Sequence, residues 1–184
     1  MSESRERIKH EAMTLFVRRG VDAVSMRDIA AAAGMKASSL YAHFASREAL
    51  IGALFHANYA AYGRTLAEIT EGTGDFRTRL AAMVRAICRL HDEDALLFGF
   101  LLLTQHRNLS DVARDARNPV EVLCRFVASG MASGEVAAGD PVLLAGALIG
   151  VIVQPATFHL YGRLSRGLLD MQEELVALCL RLVG

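Results

Sequence analysis

Between Gly20 and Leu50 the chain reads GVDAVSMRDIAAAAGMKASSLYAHFASREAL, and its stop and start signals are dense enough to fix the local structure. Ser25 is a good N-cap, and Asp28 three residues later imitates a capping box while placing negative charge at the positive helix end. Ile29, Ala30 and Ala33 then fall on one apolar face at helical spacing. Gly34 ends that helix, because glycine enters the left-handed C′ conformation at no steric cost. Leu40 and Phe44, four apart, fix the buried face of a second short helix. They turn Ala37, Ser38, Tyr41 and Ala42 largely outward. Ser46 can cap a further helix whose first turn holds Arg47 and Glu48.

Two short helices around a glycine turn, the second presenting small and hydroxylated side chains, have the layout of a helix-turn-helix DNA reader. Small residues let a helix approach base edges, and Tyr41, His43 and Arg47 are suited to the phosphates beside them. The same spacing also describes an ordinary three-helix knot with a solvated face, and spacing alone leaves both readings open.

The segment resembles the DNA-binding domain of the tetracycline-repressor (TetR) family of one-component transcriptional regulators. That pattern runs Gly, a short apolar link, Thr/Ser-Thr, Ile-Ala, Ala-Gly-Val, Leu-Tyr-x-His/Tyr-Phe, then Ser/Asn-Lys-Glu-x-Leu. This chain offers Gly20, Ser25, Ile29-Ala30, Ala33-Gly34-Met35, Leu40-Tyr41-Ala42-His43-Phe44 and Ser46-Arg47-Glu48-Ala49-Leu50 in one register. The resemblance implies an all-α protein of about nine helices. An N-terminal three-helix DNA-binding domain would occupy residues 1–50, its motif about 25–44, and a helical ligand-binding and dimerisation domain residues 51–184. It further implies that Ala37, Ser38 and Tyr41 face the major groove, with Arg27 a candidate for an extra base contact. Lys36, Ser39, His43 and Arg47 would hold phosphates. Two departures bear on the operator sequence. Lys36 stands where the family often has Ser or Thr, so either the cap of the second helix is lost or Ser38 or Ser39 supplies it. Ser38-Ser39 replaces a frequent Gly-x.

Composition neither supports nor opposes a nucleic-acid partner. The 184 residues are 53% hydrophobic, enough for a sizeable core, and carry no formal net charge. Residues 1–50 hold eight Lys/Arg against six Asp/Glu, too small an excess to argue from. Cys88, Cys124 and Cys179 lie far apart with no zinc spacing, which points to unpaired thiols in a reducing cytoplasm and to no metal or cofactor. The start, MSESRERIKHEAM, lacks the apolar core of a signal peptide. It reads as an amphipathic helix with Ile8, Ala12, Leu15 and Phe16 inward and Arg5, Lys9 and Arg18 outward. No nucleophile–base pair or phosphate-cradling glycine loop suggests an enzyme, and Asp92, Glu93 and Asp94 read as a solvated loop.

Beyond Ile51 the periodicity stays helical. A connecting helix is expected from Ser46 to about Ile69. Asp75 caps a helix carrying Phe76, Leu80, Met83, Val84, Ile87 and Leu90, and an apolar stretch follows from Ala95 to Gln105. Asn118-Pro119 and Asp140-Pro141 are helix starts with a cap and a first-turn proline, and a last helix is expected from about Arg166 to Val183. Residues 141–162 contain no Asp, Glu, Lys or Arg, long enough to cross a bilayer, but Gln154-Pro155, His159 and the lack of a flanking positive cluster speak against that. In the resembled family the last two helices pack against their two-fold mates, so Gly146, Gly150, Val153, Leu175 and Leu178 are the expected dimer interface. The family also holds a small, often hydrophobic ligand among the helices of the larger domain. Met83, Phe98, Phe100, Gln105, His106, Phe126 and His159 are residues of the right type, and the scarcity of charge favours an apolar ligand. The function implied is a cytoplasmic homodimeric repressor released from a palindromic operator by such a ligand. The alternative is a regulator of the same fold that answers to oxidation or a protein partner.

Overall fold

The computed structural model describes residues 3–108 and 118–184, with the side chains of 106–108 left aside. Among the described residues the chain is all α-helical, with nine α-helices and two short 3-10 turns. In order these are α1 (Glu3–Arg19), α2 (Met26–Ala32), α3 (Ala37–His43), α4 (Arg47–Thr70), α5 (Phe76–Glu93), α6 (Ala95–Asn108), α7 (Pro119–Ser133), α8 (Pro141–Leu160) and α9 (Gln172–Leu182). The 3-10 turns are Val21–Ala23 and Leu169–Met171.

The expected caps are in place. Asp75 accepts the N–H of Thr78 at 2.8 Å, Asn118 that of Val120 at 2.9 Å, and Asp140 that of Val142 at 2.8 Å. Each satisfies a donor that the first helical turn otherwise leaves without a partner. Ser46 does the same for α4, accepting from Ala49 N at 3.0 Å.

Two compact units emerge: residues 3–58 with 96–108, and residues 59–95 with 118–184, so that α4 contributes to both. In the first unit α1 lies against α2, and α2 against α3. Ile8, Ala12 and Phe16 of α1 are fully buried, and Phe16 stacks on Phe100 of α6 with ring centroids 6.1 Å apart. Leu15 is only half-buried. Arg5 does not simply face solvent, for its guanidinium lies 5.0 Å over the Phe44 ring.

In the second unit α5 packs on α9, and α8 lies between α7 and α9. The α5 stripe of Phe76, Leu80, Met83, Val84 and Ile87 is buried as its spacing predicts. Two expectations are corrected here. Asp92 is not a solvated loop acid. It lies in the last turn of α5 and accepts the backbone N–H groups of Leu168 at 3.2 Å and Leu169 at 3.1 Å, with His91 Nδ1 2.5 Å from the same carboxylate. The last helix starts at Gln172 rather than near Arg166, because those N–H groups are taken by Asp92 and the chain forms a 3-10 turn before α9.

Helix α8 has a mean hydropathy of 1.8 and is long and apolar enough to cross a bilayer, yet only 22% of it is buried within the chain. Its buried stripe is Ala145, Leu148, Ile152 and Ala156. Val142, Leu143, Phe158 and Tyr161 stand exposed, as do Leu178 and Leu182 on α9. Pro155 sits inside α8, which continues through it to Leu160.

Candidate nucleic-acid interface

Helix α3 is set by the two closures of α2 before it and by its own buried edge. At the N-terminal side, Ser25 accepts the Asp28 N–H at 3.2 Å while the Asp28 carboxylate accepts the Ser25 N–H at 2.8 Å, a complete capping box on α2. The hydrogen bond from the Ser25 side chain, then that from its backbone, holds the Asp28 carboxyl below the usual aspartate range. The α2 end is equally well specified. Gly34 has φ +65°, and its N–H reaches Ala31 O while Met35 N–H reaches Ala30 O at 2.9 Å. That double closure is a Schellman motif, and it reverses the chain in a few residues.

Helix α3 begins at Lys36 with no side-chain cap, so neither Ser38 nor Ser39 replaces the missing hydroxyl. Both serines are exposed, as are Lys36, Tyr41 and His43, while Ala37 is half-buried. Leu40 is fully buried and Phe44 nearly so. The helix is therefore pinned along one edge. Tyr41, 51% exposed, stands on the other. Arg27 is exposed on α2.

Below Tyr41 an open groove of about 620 Å³ is lined by Ser25, Met26, Tyr41, Ser46, Arg47 and Glu48, with Asp22 at its side. Ser25 and Ser46 were not among the expected contacts. Their signal in the sequence was that of helix caps, and each hydroxyl serves that purpose here. Arg47 departs from a simple phosphate ligand. Its Nη1 donates to Val21 O at 2.8 Å and Val24 O at 3.2 Å, and its Nε to Glu48 at 3.2 Å.

The expected ligand-pocket residues divide between the two units. Phe98, Phe100 and Gln105 belong to the first, and Met83, Phe126 and His159 to the second. The His106 side chain lies outside the described residues. Phe100 is fully buried against Phe16, and Phe126 stacks on Phe76 with centroids 4.2 Å apart. Both rings are packed as core. Gln105 is half-buried, and His159 lies with its ring 5.1 Å from that of buried His91. Of the expected interface residues, Gly146, Gly150 and Leu178 are exposed and Val153 is half-buried. Leu175 is only 4% exposed and belongs to the chain's own core. Burial pushes the Cys88 thiol up to about 11 and that of Cys179 up to about 12, and raises Cys124 as well.

Residues 8–54, which span α1 to the first turns of α4, match the family model for bacterial regulatory proteins, tetR family. The HTH-type transcriptional repressor NemR of Escherichia coli (strain K12) is 25% identical over 126 residues, 68% of this chain and 63% of NemR. The HTH-type transcriptional repressor KstR2 of Rhodococcus jostii (strain RHA1) is 38% identical over 73 residues, 40% of this chain and 36% of KstR2. The chain thus spans less than two thirds of these relatives' length. Among solved structures, the fatty acid degradation regulator FadR of Bacillus halodurans superposes with a TM-score of 0.82 at 16% identity, covering 97% of each chain. FadR of Bacillus subtilis in complex with stearoyl-CoA gives 0.82 at 18%, again covering 97% of each. These likenesses lead to one conclusion: residues 8–54 form a domain of the tetR family of bacterial regulatory proteins, on a chain that shares the all-helical fold of the two FadR structures.

Proposed function

We propose that the protein is a sequence-specific DNA-binding transcriptional repressor that acts as a homodimer in the cytoplasm and is released from a palindromic operator by a small apolar effector. Residues 1–50 read DNA, and residues 51–184 bind the effector and the second copy. The observation that carries this reading is α3 itself, with Leu40 and Phe44 buried along one edge and Ser38, Tyr41 and His43 exposed along the other. Ala37, Ser38 and Tyr41 enter the major groove, assisted by Arg27. Lys36, Ser39 and His43 meet phosphates on either side. The family is one of regulators rather than enzymes, and its curated relatives NemR and KstR2 are repressors.

The dimer reading rests on the unpartnered apolar stripe of α8 and α9, since a face carrying Val142, Leu143, Phe158, Tyr161 and Leu178 is costly to leave in water. Two copies would set their α3 helices in successive major grooves, about 34–36 Å apart. An effector that prefers a conformer with another separation releases the DNA by its differential affinity for the two states. Helix α4, running from the reading domain into the second unit, is the natural lever. The apolar character of the effector rests on the scarcity of charge in α6 and α8. The raised thiol pKa values weigh against the oxidation-sensing alternative, because a reactive cysteine needs its thiolate.

Selection of randomised duplexes by the purified protein, with affinity read at two salt concentrations, tests the reading. A recovered palindrome bound with steep salt dependence supports it. Weak, sequence-independent binding that persists after extraction and refolding overturns it. The effector is sought by asking which of stearoyl-CoA, free stearate and short-chain acids releases the recovered duplex.

A further inference from the structure

Arg47 opens α4 and is the residue whose charge most invites assignment to a phosphate. Its hydrogen bonds say otherwise. Nη1 is shared between Val21 O and Val24 O, the carbonyls that bracket the 3-10 turn Val21–Ala23 immediately before α2. Both valines are buried, Val24 to 2% exposure, so the turn has an apolar anchor below and an arginine clamp above. Ser25, the next residue, caps α2 and lines the same groove as Tyr41 and Arg47. The guanidinium side chain is itself only 24% exposed, with Nε held by Glu48. A single cation thus ties the first residue of the lever helix to the backbone that launches the reading motif.

We propose that Arg47 is a positioning residue: it holds the turn at Val21–Val24 to the N-terminal end of α4, so that α2 and α3 keep their setting on the lever, and it does not act by neutralising a phosphate. The inference rests on the DNA-reading function proposed above, but the clamp belongs to the free protein. Lysine does not replace it, since its stem is one atom shorter and its only nitrogen sits at the tip, so it cannot reach the two carbonyls met by Nη1 while a separate Nε holds Glu48. A phosphate contact, by contrast, is largely restored by any cation.

The test uses the full-length chain, with Arg47→Lys and Arg47→Met. In the free protein, amide hydrogen exchange of residues 24–29 should quicken roughly tenfold in both variants, while amides in the buried part of α5 stay unchanged. On a duplex recovered from the randomised pool, both variants should bind roughly tenfold or more weakly, with the slope of log affinity against log salt unchanged. If lysine restores affinity, or if methionine lowers the slope by about 0.9 per lost phosphate contact while leaving exchange unaltered, Arg47 is a phosphate ligand and the proposal fails. Failure of the parent chain to select any duplex would sink the DNA-reading function while the exchange measurement still decided the clamp.

Discussion

The rings of Phe76 and Phe126 stack 4.2 Å apart with their planes 9° from parallel, and Gly130, one turn beyond Phe126 on α7, makes room for them. A Cβ on Gly130 would lie 2.6 Å from the Phe76 ring and 2.8 Å from a Val136 methyl. Glu135 completes the arrangement by accepting the Phe76 N–H at 2.7 Å, which joins the end of α7 to the start of α5.

Gly130→Ala should therefore destabilise the chain. Alanine is worth about 1 kcal/mol more than glycine in a helix interior. Overpacking against two side chains fixed in a core costs about 1–3 kcal/mol. A lower denaturant midpoint at constant slope is the expected result, and a rise would mean that Phe76 moves aside freely.

Gly146 is the opposite case, with nothing within 4 Å of its added Cβ. Gly146→Leu should leave the fold of one chain intact and disrupt the proposed two-fold contact. Light scattering should then report about 19.9 kDa. A variant that stays dimeric places the interface on another face.

Tyr41→Ala removes an exposed side chain from α3 and nothing from the core. Operator affinity should fall roughly tenfold or more, the order of one lost specific contact. Stability should change by no more than about 0.5 kcal/mol, as for an exposed position. Unfolding of this variant would show that Tyr41 packs inward.

Asp92 supplies the pH dependence. Burial disfavours its charged form, but hydrogen bonds from His91 and from the Leu169 and Leu168 N–H groups outweigh that and lower its pKa below 3.8. A depressed folded-state pKa means stability that is present above pH 3.8 and lost as the pH falls through the folded value. Asp92→Asn, which keeps an acceptor oxygen but loses the charge, should cost about 1 kcal/mol at neutral pH, the difference between charged and neutral hydrogen bonds. Urea unfolding at neutral pH and at pH near 3 should show the gap between parent and variant closing in acid. A gap that stays constant would mean that the charge contributes nothing.

By itself the sequence determined what depends on neighbours within a helical turn. The capping box of Ser25 and Asp28, the left-handed Gly34, the buried pair Leu40 and Phe44, and the starts at Asp75, Asn118 and Asp140 all follow from i, i+2, i+3 and i+4 relationships. The exposed edge of α3 was legible for the same reason. Tertiary structure alone decided contacts between residues far apart in the chain. Asp92 caps a turn 76 residues away, Arg47 grips carbonyls 23 and 26 residues before it, and Gly130 lies against Phe76. Residue type did not reveal ring partners either: Phe100 stacks on Phe16 and Phe126 on Phe76. A lone charge or aromatic ring has many energetically similar partners, and only the packed chain selects one, because close packing and the need to satisfy each buried polar group leave a single arrangement.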